Sequence, residues 1–178
     1  KYNDGARENR QIFADRLAAG MELAWKNSKK HALAAKDVDW KTVGVVLPPS
    51  EHLKGDELAA IVEDKERAFK DRWSAARELV WLRRCERGDE IRLSCLLVGP
   101  ARVVHLCGEL FIEYQLAAQK QSPDRFVAVA AYGEYAPGYI GTAEAYPQGG
   151  YEVTRRASRV SPKVEAVMTR AIKDLLTE

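Results

Sequence analysis

The sequence predicts an α/β fold, a mixed sheet with a βαβ unit and flanking helices. Three stretches predict it. Arg102-Val103-Val104-His105-Leu106 is a run of strand formers, Glu109 to Lys120 has a helical pattern, and Phe126 to Ala131 is an almost unbroken apolar run. A strand, a helix and a strand so close in sequence form a crossover, which makes the two strands parallel. Ile91 to Val98 supplies a further strand, joined to 102–106 through Gly99-Pro100 as a hairpin, so the sheet is mixed.

The other elements follow from periodicity. Residues 7–30 read as a helix, with Phe13, Leu17, Met21, Ala24 and Trp25 in one apolar stripe. Thr42 to Leu47 reads as a strand closed by Pro48-Pro49. From about Gly55 to Arg84 one long helix is expected, with Leu58, Ile61, Val62, Phe69, Trp73, Ala76 and Val80 on its apolar face. The unbroken run 126–131 suits a strand covered on both faces. A loop rich in Gly, Tyr and Pro spans Tyr132 to Gly150, and Ser161-Pro162 opens a last helix whose core face holds Val164, Val167, Met168, Ala171 and Leu175.

The chain has 178 residues, of which 46% are hydrophobic and 30% charged. That suits one globular domain with a real core, expected to cover 1–178 with no second domain. A net charge of +2 gives no ground for a nucleic-acid partner or an anionic membrane. No apolar run reaches the roughly 20 residues of a transmembrane span. Cys85, Cys95 and Cys107 lack the spacing of a disulfide framework or a zinc ribbon and are expected to be buried free thiols. The chain begins at Lys1, and Lys1 to Gly5 reads as a loop in mid-sequence; an upstream part, with any targeting signal, is expected to precede it.

Ligands in α/β sheets bind beyond the carboxyl ends of the strands. Glu109 follows the strand ending at Leu106, and the 132–151 loop follows the strand ending at Ala131, so both belong at one end of the sheet. Each also has a plain structural explanation. A carboxylate in a first helical turn is favoured by about 0.3–1 kcal/mol. Tyrosines at 132, 135, 139, 146 and 151 can serve as amphipathic packing residues.

Cys107-Gly108-Glu109-Leu110 resembles the Pro-Gly-Glu-Phe element of the neutral/alkaline non-lysosomal ceramidases. Gly138, Tyr139, Thr142, Glu144 and Tyr146, then Tyr151-Glu152, resemble that family's Gly-Tyr-x-x-Thr-x-Glu-x-Tyr element and the Tyr-Glu pair after it. The resemblance is specific over 105–152. Residues 9–30 and the Gly149-Gly150-Tyr151-Glu152 ending are similar to bacterial ceramidase-like proteins. The resemblance implies the C-terminal portion of a catalytic domain. It implies that Glu109 and Tyr139 are zinc ligands and that Tyr151 donates a hydrogen bond to the reacting amide carbonyl. It further implies a lipid or other N-acyl amide substrate and a secreted or periplasmic location.

The family's two histidine ligands and a serine important to it lie upstream of this region. An isolated chain of this extent is therefore expected to bind zinc poorly and to turn over little. His31 and His52 read as surface residues and His105 as a buried, hydrogen-bonded one; none is assigned as a ligand. Cys107 and Leu110 replace the family's Pro and Phe, which alters the substrate pocket without removing a ligand. The family's immunoglobulin-like module has no counterpart within these residues. Two alternatives stay open: a hydrolase-like binding or scaffold protein without activity, and a plain α/β domain whose tyrosine loop recognises a saccharide or peptide.

Overall fold

The structure, a computed structural model, describes residues 5–30, 32–133 and 137–177. His31, Tyr135 and the opening residues 1–4 lie outside that range. The chain falls into two compact units, Lys1–Leu33 and Ala34–Glu178.

The first unit carries helix α1, Glu8–Asn27, which bears out the expected helix. It stops three residues earlier than expected, where Ser28 turns extended and its hydroxyl donates to the Trp25 carbonyl at 2.8 Å. The i, i+4 stripe is present but buries nothing: Leu17, Met21 and Trp25 are 66%, 65% and 75% exposed.

The second unit is a mixed α/β layer structure. Strands β1 (Val38–Val45), β2 (Ile91–Val98), β3 (Ala101–Cys107) and β5 (Phe126–Gly133) form one sheet in the order β1-β2-β3-β5. The pairs β1/β2 and β2/β3 are antiparallel and β3/β5 is parallel. Gly99 and Pro100 make the two-residue hairpin turn, with Gly99 at φ 51°. The positive φ at the first turn position matches the twist of the strands, as the favoured hairpin turns do.

Alternation along the strands sends Val45, Leu93, Cys95, Val104, Leu106 and Val127 to one face, where all are buried. Helix α6, Val164–Leu176, packs across β1, β2 and β3 through Met168, Ile172 and Leu175. Burying each such side chain is worth about 1.5–3 kcal/mol. Helix α4, Ile112–Gln121, crosses from β3 to β5 and packs on α6, which completes the βαβ unit. The helix expected from Ser161-Pro162 begins later: 162–163 form a turn, and the helix starts at Val164.

The opposite face of the sheet holds Val38, Trp40, Leu96, Val103 and Phe126, and none of them is buried. Val38, Trp40 and Phe126 are 47%, 53% and 68% exposed. Strand β5 is thus covered on one face, not two. His105 lies on this face, half-buried against the Trp40 ring at 5.2 Å, and its Nδ1 is buried with no hydrogen-bond partner. The ring packs at a tilt of 32° to Trp40, and the hydrogen bond expected of this histidine is not made at Nδ1.

The long helix expected over 55–84 is two, α2 (Gly55–Glu63) and α3 (Phe69–Arg87). Asp64 ends the first. Its side chain accepts from the Glu66 backbone N–H at 3.1 Å and its carbonyl from Arg67 N–H at 3.2 Å, a local turn that competes with helix. The restart rotates the buried face. Ala75, Leu79, Trp81 and Leu82 enter the core, while Phe69, Trp73 and Val80 stay exposed. Trp81 Nε1 donates to the Arg159 carbonyl at 2.9 Å.

Among the thiols, Cys95 and Cys107 are buried and Cys85 is half-buried; all three are free. Burial pushes the Cys85 and Cys107 thiols up to about 11. No helix among the described residues is long and apolar enough to cross a membrane.

Candidate active site

Glu109 was expected in the first turn of a helix. It stands instead in a short strand, β4 (Glu109–Leu110), and α4 begins at Ile112. Gly108 causes the change. Its φ of 74° redirects the chain after β3, and an added Cβ would lie 2.9 Å from the Gly138 carbonyl oxygen. The helix-dipole explanation of Glu109 lapses with this.

Strand β4 pairs in parallel with β6 (Tyr139–Ile140), with Glu109 opposite Tyr139 and Leu110 opposite Ile140. Glu109 N–H donates to the Gly138 carbonyl at 3.0 Å and Phe111 N–H to the Ile140 carbonyl at 3.1 Å. Two residues far apart in sequence are thereby fixed side by side. Gly108→Ala is expected to cost more than about 2 kcal/mol, from the left-handed φ and the backbone contact together, measured by urea unfolding.

The loop bearing Tyr139 is built into the fold at several points. Ile140 and Pro137 are fully buried, which turns Tyr139 outward. The buried Tyr114 hydroxyl donates to the Gly141 carbonyl at 2.9 Å, and Ala143 N–H donates to Glu165 at 2.6 Å. Tyr146 packs inside, its hydroxyl 3.3 Å from Ser158 Oγ. For that tyrosine the packing explanation holds. A short helix α5 (Ala145–Gln148) and a 3-10 turn at Tyr151–Val153 return the chain to the site.

Glu109, Phe111, Glu113, Tyr132, Tyr139 and Glu152 line an open cleft of about 460 Å³. The Tyr139 hydroxyl is hydrogen-bonded to Glu109, and that bond and the nearby negative charge hold its phenol above the usual tyrosine range. Tyr132 and Tyr151 act in the same direction. Tyr151 sits edge-on to Tyr139, ring centres 6.1 Å apart at 78°, and is 59% exposed. Glu109→Gln is expected to lower the Tyr139 phenol toward its ordinary value near ~10, read by tyrosinate absorbance during a pH titration of metal-free protein.

All three site residues expected from the sequence thus come together: Glu109 and Tyr139 in contact, Tyr151 against Tyr139. Glu113, Glu152 and Tyr132 also line the cleft; the first is brought there by the start of α4 and the last by the end of β5. The spacing of Tyr132 resembled that of the packing tyrosines, so periodicity gave no sign of its position.

A carboxylate and a phenol side by side are hard oxygen donors of the kind a metal ion takes, and here they number two. Among the described residues no group of three or more His, Cys, Asp and Glu is placed to hold a metal. His105 belongs to the open sheet face, and His52 to a different corner. His52 is half-buried, not a surface residue, with its Nδ1 2.7 Å from Ser50 Oγ; burial, then Arg155 and Arg159, lower its pKa.

No protein-family model and no curated protein matches the chain. Among the solved structures similar to it in part are two ceramidases. One is a neutral ceramidase from Pseudomonas aeruginosa, at 14% identity and TM-score 0.47, over 78% of this chain and 28% of that one. The other is a ceramidase complexed with C2, at 18% identity and TM-score 0.43, over 48% of this chain and 14% of that one. The chain spans less than a third of the length of either.

Proposed function

We propose that these residues are part of a zinc-dependent amide hydrolase that cleaves the N-acyl bond of ceramide or a related N-acyl substrate. The observation that carries the reading is the parallel register that puts Glu109 beside Tyr139, with Tyr151 against the same ring. These are the residues singled out by the resemblance of 105–152 to the ceramidase elements.

In this reading Glu109 and Tyr139 would hold the zinc. Zinc held there would supply an acidified water, of pKa near ~7, and a Lewis acid for the substrate carbonyl. The Tyr139 phenol, held above the usual tyrosine range by Glu109, would release its proton to solvent in binding the metal. Tyr151 donates its O–H to the carbonyl oxygen as negative charge develops there. Leu110, Phe111 and Ile112 supply the apolar part of the cleft wall.

The reading is tested on the full-length protein by metal analysis together with hydrolysis of a fluorescent N-acyl sphingosine. About one zinc per chain and release of the fatty acid are expected. Full-length protein that holds no zinc and cleaves no amide is instead the inactive scaffold.

A further inference from the structure

Tyr132 occupies a backbone position unfavourable to its side chain. Strands β3 and β5 stay in register from Ala101↔Phe126 to His105↔Ala130 and resume at Cys107↔Gly133. Between those pairs a single residue, Leu106, faces two, Ala131 and Tyr132. This is a β-bulge, a device that often re-aims a side chain beside an active site.

At the bulge Tyr132 takes φ 60°, the one positive value among described residues other than glycine. Glycine is the usual occupant of such a position, and asparagine the usual alternative. The Tyr132 N–H donates to the Gly108 carbonyl at 2.9 Å, which anchors it next to Glu109 in the chain. The ring is 73% exposed, so packing does not offset the conformation. What the position gains is the cleft, which the ring lines together with Glu109, Tyr139 and Glu152. Backbone strain of this kind gathers at functional sites.

We propose that Tyr132 is a substrate-binding residue of the cleft, placed by the bulge to hold the N-acyl substrate against Glu109 and Tyr139. This rests on the amide-hydrolase reading. It assigns Tyr132 a part in binding and none in the bond-breaking step, so its effect falls on KM more than on kcat.

The test uses the full-length protein with Tyr132→Gly and Tyr132→Asn, both of which accept the left-handed conformation. Fluorescent N-acyl sphingosine is the probe, with zinc content and melting temperature measured alongside. Both variants are expected to keep their zinc and to melt at or above the wild-type temperature. Their KM is expected to rise about tenfold, with kcat changing by less than about threefold. Unchanged KM in both variants, with wild-type turnover intact, overturns the role of Tyr132 alone. A fall of several degrees in melting temperature in both variants assigns the ring to the fold and overturns it as well. Wild-type protein without zinc and without turnover overturns the amide-hydrolase reading, and this proposal with it.

Discussion

Replacing Glu109 with alanine is expected to empty the proposed metal site of the full-length protein. Zinc content should fall from about one per chain to near zero, and amide hydrolysis with it, by at least about a hundredfold. The magnitude follows from comparison: removing groups that merely support a metal ligand already costs about 10–100-fold in affinity or activity. Glu109 is the carboxylate in direct contact with Tyr139, and the backbone bonds from Glu109 N–H and Phe111 N–H survive the substitution. The fold should therefore persist, as far-ultraviolet circular dichroism would show. Glu113→Ala is the control. It removes a carboxylate from the same cleft without touching the β4/β6 pair, and the metal should remain. Full zinc occupancy in Glu109→Ala would sink the assignment.

Tyr151→Phe should separate binding from chemistry. The ring keeps its edge contact with Tyr139, and only the hydroxyl is lost. Zinc content should be unchanged, and kcat should fall by about 10²–10³, the usual loss of one oxyanion donor, or about 2.7–4 kcal/mol. Tyr139→Phe differs in kind, because it should lose metal and rate together. If Tyr151→Phe retains more than about a third of wild-type kcat, the hydroxyl has no part in stabilising the oxyanion. The two variants together distinguish ligand from donor on rings only 6.1 Å apart.

The strands and the crossover were legible because their patterns are local. β2 alternates Ile91, Leu93 and Cys95 inward against Arg92 and Ser94, and the two-residue hairpin carries its own glycine signal. The break inside the helical stretch 55–84 is not legible, for the opposite reason. Its charges and apolar residues continue a helical period through Asp64, while a short-range side-chain turn interrupts the backbone. The face of α3 was then misassigned, because periodicity cannot recover a phase reset by a break. Which residues gather around the cleft was legible in the sequence, but their geometry was not. Sheet topology placed Glu109 and the tyrosine loop at one end. The strand that holds Glu109 is only two residues long, and such a pair exists through its long-range partner, not through propensity. The exposure of Tyr132 depends on a bulge, which a one-residue mismatch between distant strands creates and no local pattern announces.

The open face of the sheet bears on how the protein is to be handled in solution. Val38, Trp40 and Phe126 gather on one surface, and such patches are uncommon among scattered surface residues. Hydrophobic dyes such as ANS bind exposed apolar surface and are commonly used to diagnose a loosely packed state. Here dye fluorescence is expected from fully native protein, with the core around Met168 and Ile172 intact. Near-ultraviolet circular dichroism reports the fixed packing of the buried Trp81 and Tyr114 rings, and it is the measurement by which a well-folded preparation of this chain should be judged.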